Sequence, residues 1–435
     1  DGGATWDHVL FIDDETGAND IVISQSDPDV LYASMWNNYP DIAGETSGVY
    51  TSKDGGSTWM LCEDGLPKGK GIGRIGLAVS WQNPDKVYAL VDNRSTNVKK
   101  TAEIYRSLDG GGSWNRTHKE DVDFMARLWY FADCYVNPMD DEEFWGLGVR
   151  AVHSSDGGQT FEMVGGNVFH SNPSPAMPLH LDHCELWVNP INPNHLMLGN
   201  DGGLHMSYDK GKNWQHYNNI PAGEFYDISV DNQDPYLIYG GTQDDASVYG
   251  PSKEWNPLYP DGWKYIWLDA WSGGDGCVTY PDPDDPDMIY TSSQNGGIFK
   301  KQMSADKSKG IRPRLPRKAK GKLSYNFIAP YIISSHNSSR LYHAGNFIFR
   351  SDNKGDAWDL ISEDLSISKN PDRKSLAAGA IAESPLNQDL LFVGTDHGAL
   401  WVTADQGESW VERSEGLPIA YIRSIQASNF NENRL

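Results

Sequence analysis

One octet constrains this chain more than any other feature: Ser52-Lys-Asp54-Gly-Gly56-Ser-Thr58-Trp59. Its pattern, Ser/Thr-x-Asp-x-Gly-x-x-aromatic, returns at Ser107–Trp114, Ser154–Phe161, Ser207–Trp214 and Thr403–Trp410, and with Asn353 for Asp at Ser351–Trp358. Asp1–Trp6 has the same pattern without its first two residues. The aromatic residues stand at 6, 59, 114, 161, 214, 358 and 410, so the gaps are 53, 55, 47, 53, 144 and 52. The value 144 is three times 48, which places two units between Trp214 and Trp358 that keep the spacing without the octet. A period near 50 predicts a repeat architecture.

A second repeat runs in phase with the first. Segments such as "IVISQSDPDVLYAS", "LAVSWQNPDKVYAL", "LWVNPINPNHLMLG" and "ISVDNQDPYLIYGG" place alternating apolar residues around a Pro/Asn/Asp turn. That reads as a β-hairpin. With the two strands joined by the octet, each unit becomes four short antiparallel strands, the make-up of a propeller blade. In the octet, Gly supplies positive φ and the Asp carboxylate accepts local N–H groups. The motif is therefore expected to be scaffolding on the outer rim, with Trp59, Trp114 and Trp214 largely buried between sheets.

These residues resemble the Asp-box (BNR) repeats of sialidases, sortilin and the family 74 glycoside hydrolases (xyloglucanases). "GRIGLAVS", "HLDHCELWVNPINPNHLMLGNDGGLHMS", "EFYDISVDNQDPYLIYGGTQDD" and "LFVGTDHGALWVTADQGESW" are similar to bacterial secreted sortilin-like or glycosyl hydrolase BNR-repeat proteins. The resemblance implies an all-β chain, a β-propeller with four-stranded Asp-box blades, belonging to parts of two tandem seven-bladed propellers. Residues 1–218 would supply blades of the first and 219–435 blades of the second, with the boundary near 216–224 and both incomplete relative to a longer parent chain. A single ring, like the ten blades of sortilin, is the alternative. Innermost strands are expected near residues 20, 74, 130, 183, 225, 275, 328, 378 and 420. The resemblance also implies a secreted or cell-surface/periplasmic location of bacterial type.

Composition narrows the function. The net charge of −24 argues against nucleic acid and against an anionic membrane surface, both of which attract Lys and Arg. No apolar run is long enough for a membrane-spanning helix. The chain opens at Asp1 without Met, as a processed or truncated product would. Four cysteines with no CxxC exclude a disulfide framework, and Cys134, Cys184 and Cys277, in apolar strand-like runs, read as buried free thiols. The basic stretch "KQMSADKSKGIRPRLPRKAKGK" reads as a long exposed loop.

Propellers gather ligands where the innermost strands begin. The residues placed there are Asp20, Arg74, Trp129, Tyr130, His180, Asp182, His183, Tyr226, Asp227, Asp275 and Arg423. Charged groups converging on a cavity suit a ligand site, and equally a solvated channel with structural ion pairs. His180, Asp182 and His183 are metal-capable, but an extended strand points His183 away from the other two, so no metal and no cofactor are expected. The glycine-rich loops "GGTQDD" and "GGDG" carry Asp244 and Asp275. A glycosidase needs one protonated and one ionised carboxyl, about 5–5.5 Å apart for retention and about 6.5–9.5 Å for inversion. Asp182, Asp244 and Asp275 are the catalytic candidates, against a competing role in Asp-Gly turns. Asp201 and Asp396 recur at equal points of their units, which marks them as turn positions. Only Arg74 and Arg423 could serve a sialidase arginine triad, and GxSxG and HExxH motifs do not occur.

The reading is an extracellular polysaccharide-acting or polysaccharide-binding propeller, a glycoside hydrolase if catalytic. The alternatives are a sortilin-like protein-binding propeller and a structural component of an extracellular assembly. The ligand is thus a polysaccharide or a protein, and the oligomeric state stays open.

Overall fold

The computed structural model describes residues 2–95, 102–122, 127–164, 179–217, 220, 222–253, 262–268, 274–368, 370–372 and 375–435. Asp1 and Gly273, and residues 218, 219 and 221 at the expected boundary, lie outside the described residues. Two compact units divide at Ile220/Pro221.

The first unit holds four sheets: sheet 1 from Thr16 to Leu61, sheet 2 from Ile72 to Arg116, sheet 3 from Asp133 to Met163 and sheet 4 from His183 to Tyr217. The second holds sheet 5 from Phe225 to Ile266, sheet 6 from Gly274 to Gly310, sheet 7 from Tyr331 to Leu360 and sheet 8 from Ala378 to Glu412. Each runs as a four-stranded antiparallel meander in sequence order, the topology of a propeller blade, and a parallel pairing joins sheets 5 and 6 into one eight-stranded sheet. Among the described residues the sole helical element is a 3₁₀ turn, Gln294–Gly296.

The cores lie between successive sheets. Tyr32 and Val49 of sheet 1 pack with Ile75, Leu77, Ala89 and Trp114 of sheet 2. Tyr88, Leu90 and Ile104 continue into Cys134, Val136 and Phe144 of sheet 3. Cys277, Tyr290 and Ile298 of sheet 6 meet Tyr331 and Leu341 of sheet 7, and Tyr342 and Ile348 meet Leu391 and Val393 of sheet 8. A strand covered on both faces needs no polar alternation. Val87–Asn93, the second strand of sheet 2, is buried at every residue.

Each octet lies between the third and fourth strands of its sheet. Asp54 Oδ1 accepts the Thr58 N–H at 2.8 Å, Oδ2 accepts the Thr58 hydroxyl at 2.6 Å, and Ser52 Oγ accepts the Gly56 N–H at 2.9 Å. The same bonds close the turns at Asp109, Asp156 and Asp405, and at Asp209 the Asn213 side-chain amide donates in place of the hydroxyl. Asn353 keeps the Oδ1 bond to the Ala357 N–H at 2.8 Å. Its amide nitrogen could not accept a second donor, and the partner position is Ala357, which has none.

The residue before the motif glycine sits at positive φ. Where it has a side chain, that side chain reaches the preceding sheet. Lys210 binds Glu143, Lys354 binds Asp282, and Gln406 accepts from Arg350. Where it is Gly157, its Cβ position is filled by Arg106 and Glu142.

Several expectations are corrected. No strand forms near 420; Ile422 instead lays its side chain on Gly394 and its N–H bonds Thr395 O at 3.1 Å. The basic stretch is not one exposed loop, because it contains parts of the third and fourth strands of sheet 6, Gly297–Gln302 and Lys307–Gly310, and buries Lys301 and Ile311. A register shift between His183 and Glu185 turns Cys184 outward, while Cys62, Cys134 and Cys277 are buried. Trp114 is 3% exposed, but Trp59 and Trp214 are only half-buried, their indole N–H groups bonding back to Gly56 O and Gly211 O.

Candidate functional site

In the first unit, several strand-start residues tie one sheet to the next. Asp20 of sheet 1 accepts the Leu77 N–H of sheet 2 at 2.8 Å. Arg74 of sheet 2 pairs with Asp133 at the start of sheet 3 at 3.2 Å and donates to Tyr130 O. Burial raises the Asp20 carboxyl above its ordinary range against the Leu77 N–H, and raises Asp133 against the Arg74 charge. Trp129 and Tyr130 do not begin the strand; they lie in the turn ahead of Asp133–Asn137, with Tyr130 exposed and Trp129 partly so. Asp133 and Glu185, which the sequence reading missed, hold the corresponding places in sheets 3 and 4. Their signal was an acidic residue opening an apolar strand run. Arg423 lies exposed on an irregular segment.

His180 and Asp182 precede the first strand of sheet 4, and His183 begins it. His180 Nδ1 faces Leu181 O at 3.0 Å, and Asp182 takes φ 61. Burial, then the neighbouring His180 and His205, pulls His183 down to about 3, so its ring is neutral. The trio does not bring three ligand atoms within 4.8 Å of one another.

In the second unit, Asp244 and Asp275 come together. The third strand of sheet 5, Asp245–Pro251, pairs in parallel with the first strand of sheet 6, Asp245 opposite Gly274 and Ala246 opposite Asp275. Asp244, at φ 56, leads into that pairing, and its carboxyl acts on that of Asp275. Asp275 is 6% exposed. Tyr226 donates its hydroxyl to Asp275 Oδ2 at 2.5 Å, and Gln294 Nε2 donates to Oδ1 at 2.8 Å. Burial, with the Asp244 carboxyl adding to it, pushes Asp275 above the ordinary carboxylate range; the Tyr226 hydroxyl opposes this. Two neighbouring carboxyls disfavour each other's ionisation, which acts on Asp275 in the same direction as burial. One exposed aromatic ring adjoins it through Tyr226. Phe327 is 50% exposed and meets Tyr226 edge-on at 6.3 Å. Phe225, paired with Thr242 just ahead of Asp244, meets the half-exposed Trp263 at 5.9 Å. Asp227 accepts the Tyr280 hydroxyl at 3.3 Å.

No protein-family model and no curated protein matches the chain. Among solved structures it is similar to a GH74 enzyme of Niastella koreensis, at 16% identity and TM-score 0.30 over 94% of this chain and 64% of that one. It is also similar to a GH74 xyloglucanase of Xanthomonas campestris, at 13% identity and TM-score 0.33 over 89% and 52%. YCF48 bound to a D1 peptide matches at 13% identity and TM-score 0.25 over 79% and 92%. The chain spans between 52% and 64% of the length of those two GH74 enzymes.

Proposed function

We propose that this chain acts on a polysaccharide, with the Asp244–Asp275 pair as the acid. The observation that supports it is a buried carboxyl, Asp275, held beside the Asp244 loop, with the exposed Phe327 ring close by through its contact with Tyr226. Sugar faces stack on aromatic rings, and a carboxyl kept neutral by burial can protonate a leaving oxygen. On this reading the pair fills the acid role, and water from the solvent supplies the nucleophile. The proton passes to the bridging oxygen as the C–O bond breaks, water adds to the sugar carbon, and the proton that water loses restores the pair. On this reading the two units are parts of tandem Asp-box propellers, residues 1–218 and 219–435, of a secreted protein, and Asp182 is not a member of the acid pair.

A glycan-array and hydrolysis screen of the intact chain beside Asp275→Asn, Asp244→Asn and Phe327→Ala tests the reading. Binding weakened by Phe327→Ala and cleavage lost with either Asn variant are expected. An intact chain that neither binds nor cleaves any glycan would hand the function to the second reading, a protein-binding or scaffold role. That reading draws support from Asp20 and Arg74, which are engaged in ties between sheets.

A further inference from the structure

The Asp275 carboxyl has a donor on each oxygen, and the two arrive from different elements. Tyr226 comes from the first strand of sheet 5, Phe225–Val230, and Gln294 from the 3₁₀ turn that follows the second strand of sheet 6. Both donors are braced on Phe327. Its ring meets Tyr226 edge-on, and its carbonyl accepts the N–H of Asn295, the residue after Gln294, at 2.9 Å. Asn295 holds a left-handed φ of 57 to make that bond. The two donors, one on each oxygen, fix the carboxyl plane of Asp275.

The contacts act in opposite senses. Burial and the Asp244 carboxyl favour the neutral acid, whereas donors to the oxygens favour the anion. An acid that only retained its proton could not give it up. The Gln294 amide suits both states: Nε2 faces the ionised carboxyl, and Oε1, buried without a partner, can turn to accept from Asp275 when Oδ1 is protonated.

We propose that Tyr226 and Gln294 are positioning residues for the Asp244–Asp275 pair, fixing the orientation of the Asp275 carboxyl and keeping its proton releasable. This rests on the reading of the pair as the acid of a polysaccharide-acting site. The residues touch the carboxyl, and their effect on any substrate passes through it.

The test is a pH titration of the whole chain carrying ¹³Cγ-labelled Asp, followed by NMR. Wild type is compared with Tyr226→Phe, which keeps the ring that packs on Phe327, and with Gln294→Leu. The Asp275 resonance is assigned with Asp275→Asn. Wild type should retain the pair's proton above the ordinary carboxylate range. Tyr226→Phe should move that step upward by about one pH unit, a tenfold gain in proton affinity, because a donor to the anion is gone, and Gln294→Leu should move it upward by less, because the amide serves both states. A step that stays in place in both variants overturns the proposal, as does a wild-type Asp275 that titrates in the ordinary range. The readout needs no glycan, so it separates the two ideas. A shifted step in a protein that binds no glycan keeps the positioning roles and removes the polysaccharide reading; glycan cleavage with an unmoved step does the reverse.

Discussion

Lys354 Nζ lies 2.7 Å from Asp282 Oδ2, and the Asp282 carboxyl is wholly buried. Lys354 belongs to the octet of sheet 7, while Asp282 follows the first strand of sheet 6, Gly274–Pro281. The ammonium thus crosses from one sheet to the next. Asp282 also accepts the N–H groups of Asp284 and Asp285 and the Tyr290 hydroxyl. Lys210 makes the corresponding reach to Glu143. A buried charge that loses its partner is costly, though the remaining donors soften the loss here. Lys354→Met should therefore destabilise by roughly 1–3 kcal/mol. Pairing it with Asp282→Asn should recover part of this, measured by urea melts of both variants. Full additivity of the two changes would remove the link.

His153 should make stability fall on the alkaline side. Its Nδ1 is 2.9 Å from Glu162 Oε1 and its Nε2 is 3.0 Å from Glu143 Oε1, and carboxylates only accept, so both nitrogens must carry protons. Burial lowers its basicity, but the bonds to Glu143 and Glu162 outweigh that and raise it. A raised folded value gives stability that is complete below about pH 6.5 and lost as pH rises through the folded value. Melting temperature should decline from near neutral pH upward, and His153→Gln should flatten that slope. Burial alone would raise Glu143, yet His153, Lys210 and Asn137 hold it down at about 2. Its contribution is present above the ordinary Glu range and is lost as pH falls toward 2.

The octet carboxylates should govern acid stability in the same sense. Slight burial raises Asp156, but the Thr160 hydroxyl and N–H and the Ser154 hydroxyl bring it to about 2. That stability is present above the ordinary Asp value of 3.8 and disappears as pH falls toward 2. Asp156→Asn keeps an Oδ1 acceptor, as Asn353 does, whereas Asp156→Ala loses every bond. Ala should cost about 1–2 kcal/mol and Asn less, by denaturant melts at pH 7. Equal losses would show that the side chain does not close the turn.

The octet aromatics should differ sharply in weight. Trp114 lies in the shared core of sheets 1 and 2, so Trp114→Ala should cost about 3–5 kcal/mol. Trp59 keeps one side in solvent and should cost about 1–3 kcal/mol as Ala. Side-by-side chemical denaturation measures both, and equal costs would contradict the burial difference.

The sequence by itself determined the local architecture. The octet closes within four residues, Asp54 to Thr58, so its chemistry is complete in any window that contains it. Turn residues and apolar alternation likewise fixed where the hairpins lie, because each hairpin pairs neighbours along the chain. What no window contains, the tertiary structure decided. Asp244 and Asp275 meet because a strand of sheet 5 pairs in parallel with one of sheet 6, and the repeat period does not announce that pairing. Gln294 joins them from a turn that carries no motif. The Glu143–His153–Lys210 cluster assembles from sheets 3 and 4, and Cys184 faces outward through a one-residue register shift. Spacing along a strand gives the side a residue faces, but burial and ionisation depend on the neighbouring sheet, whose contribution is set by packing distant in sequence.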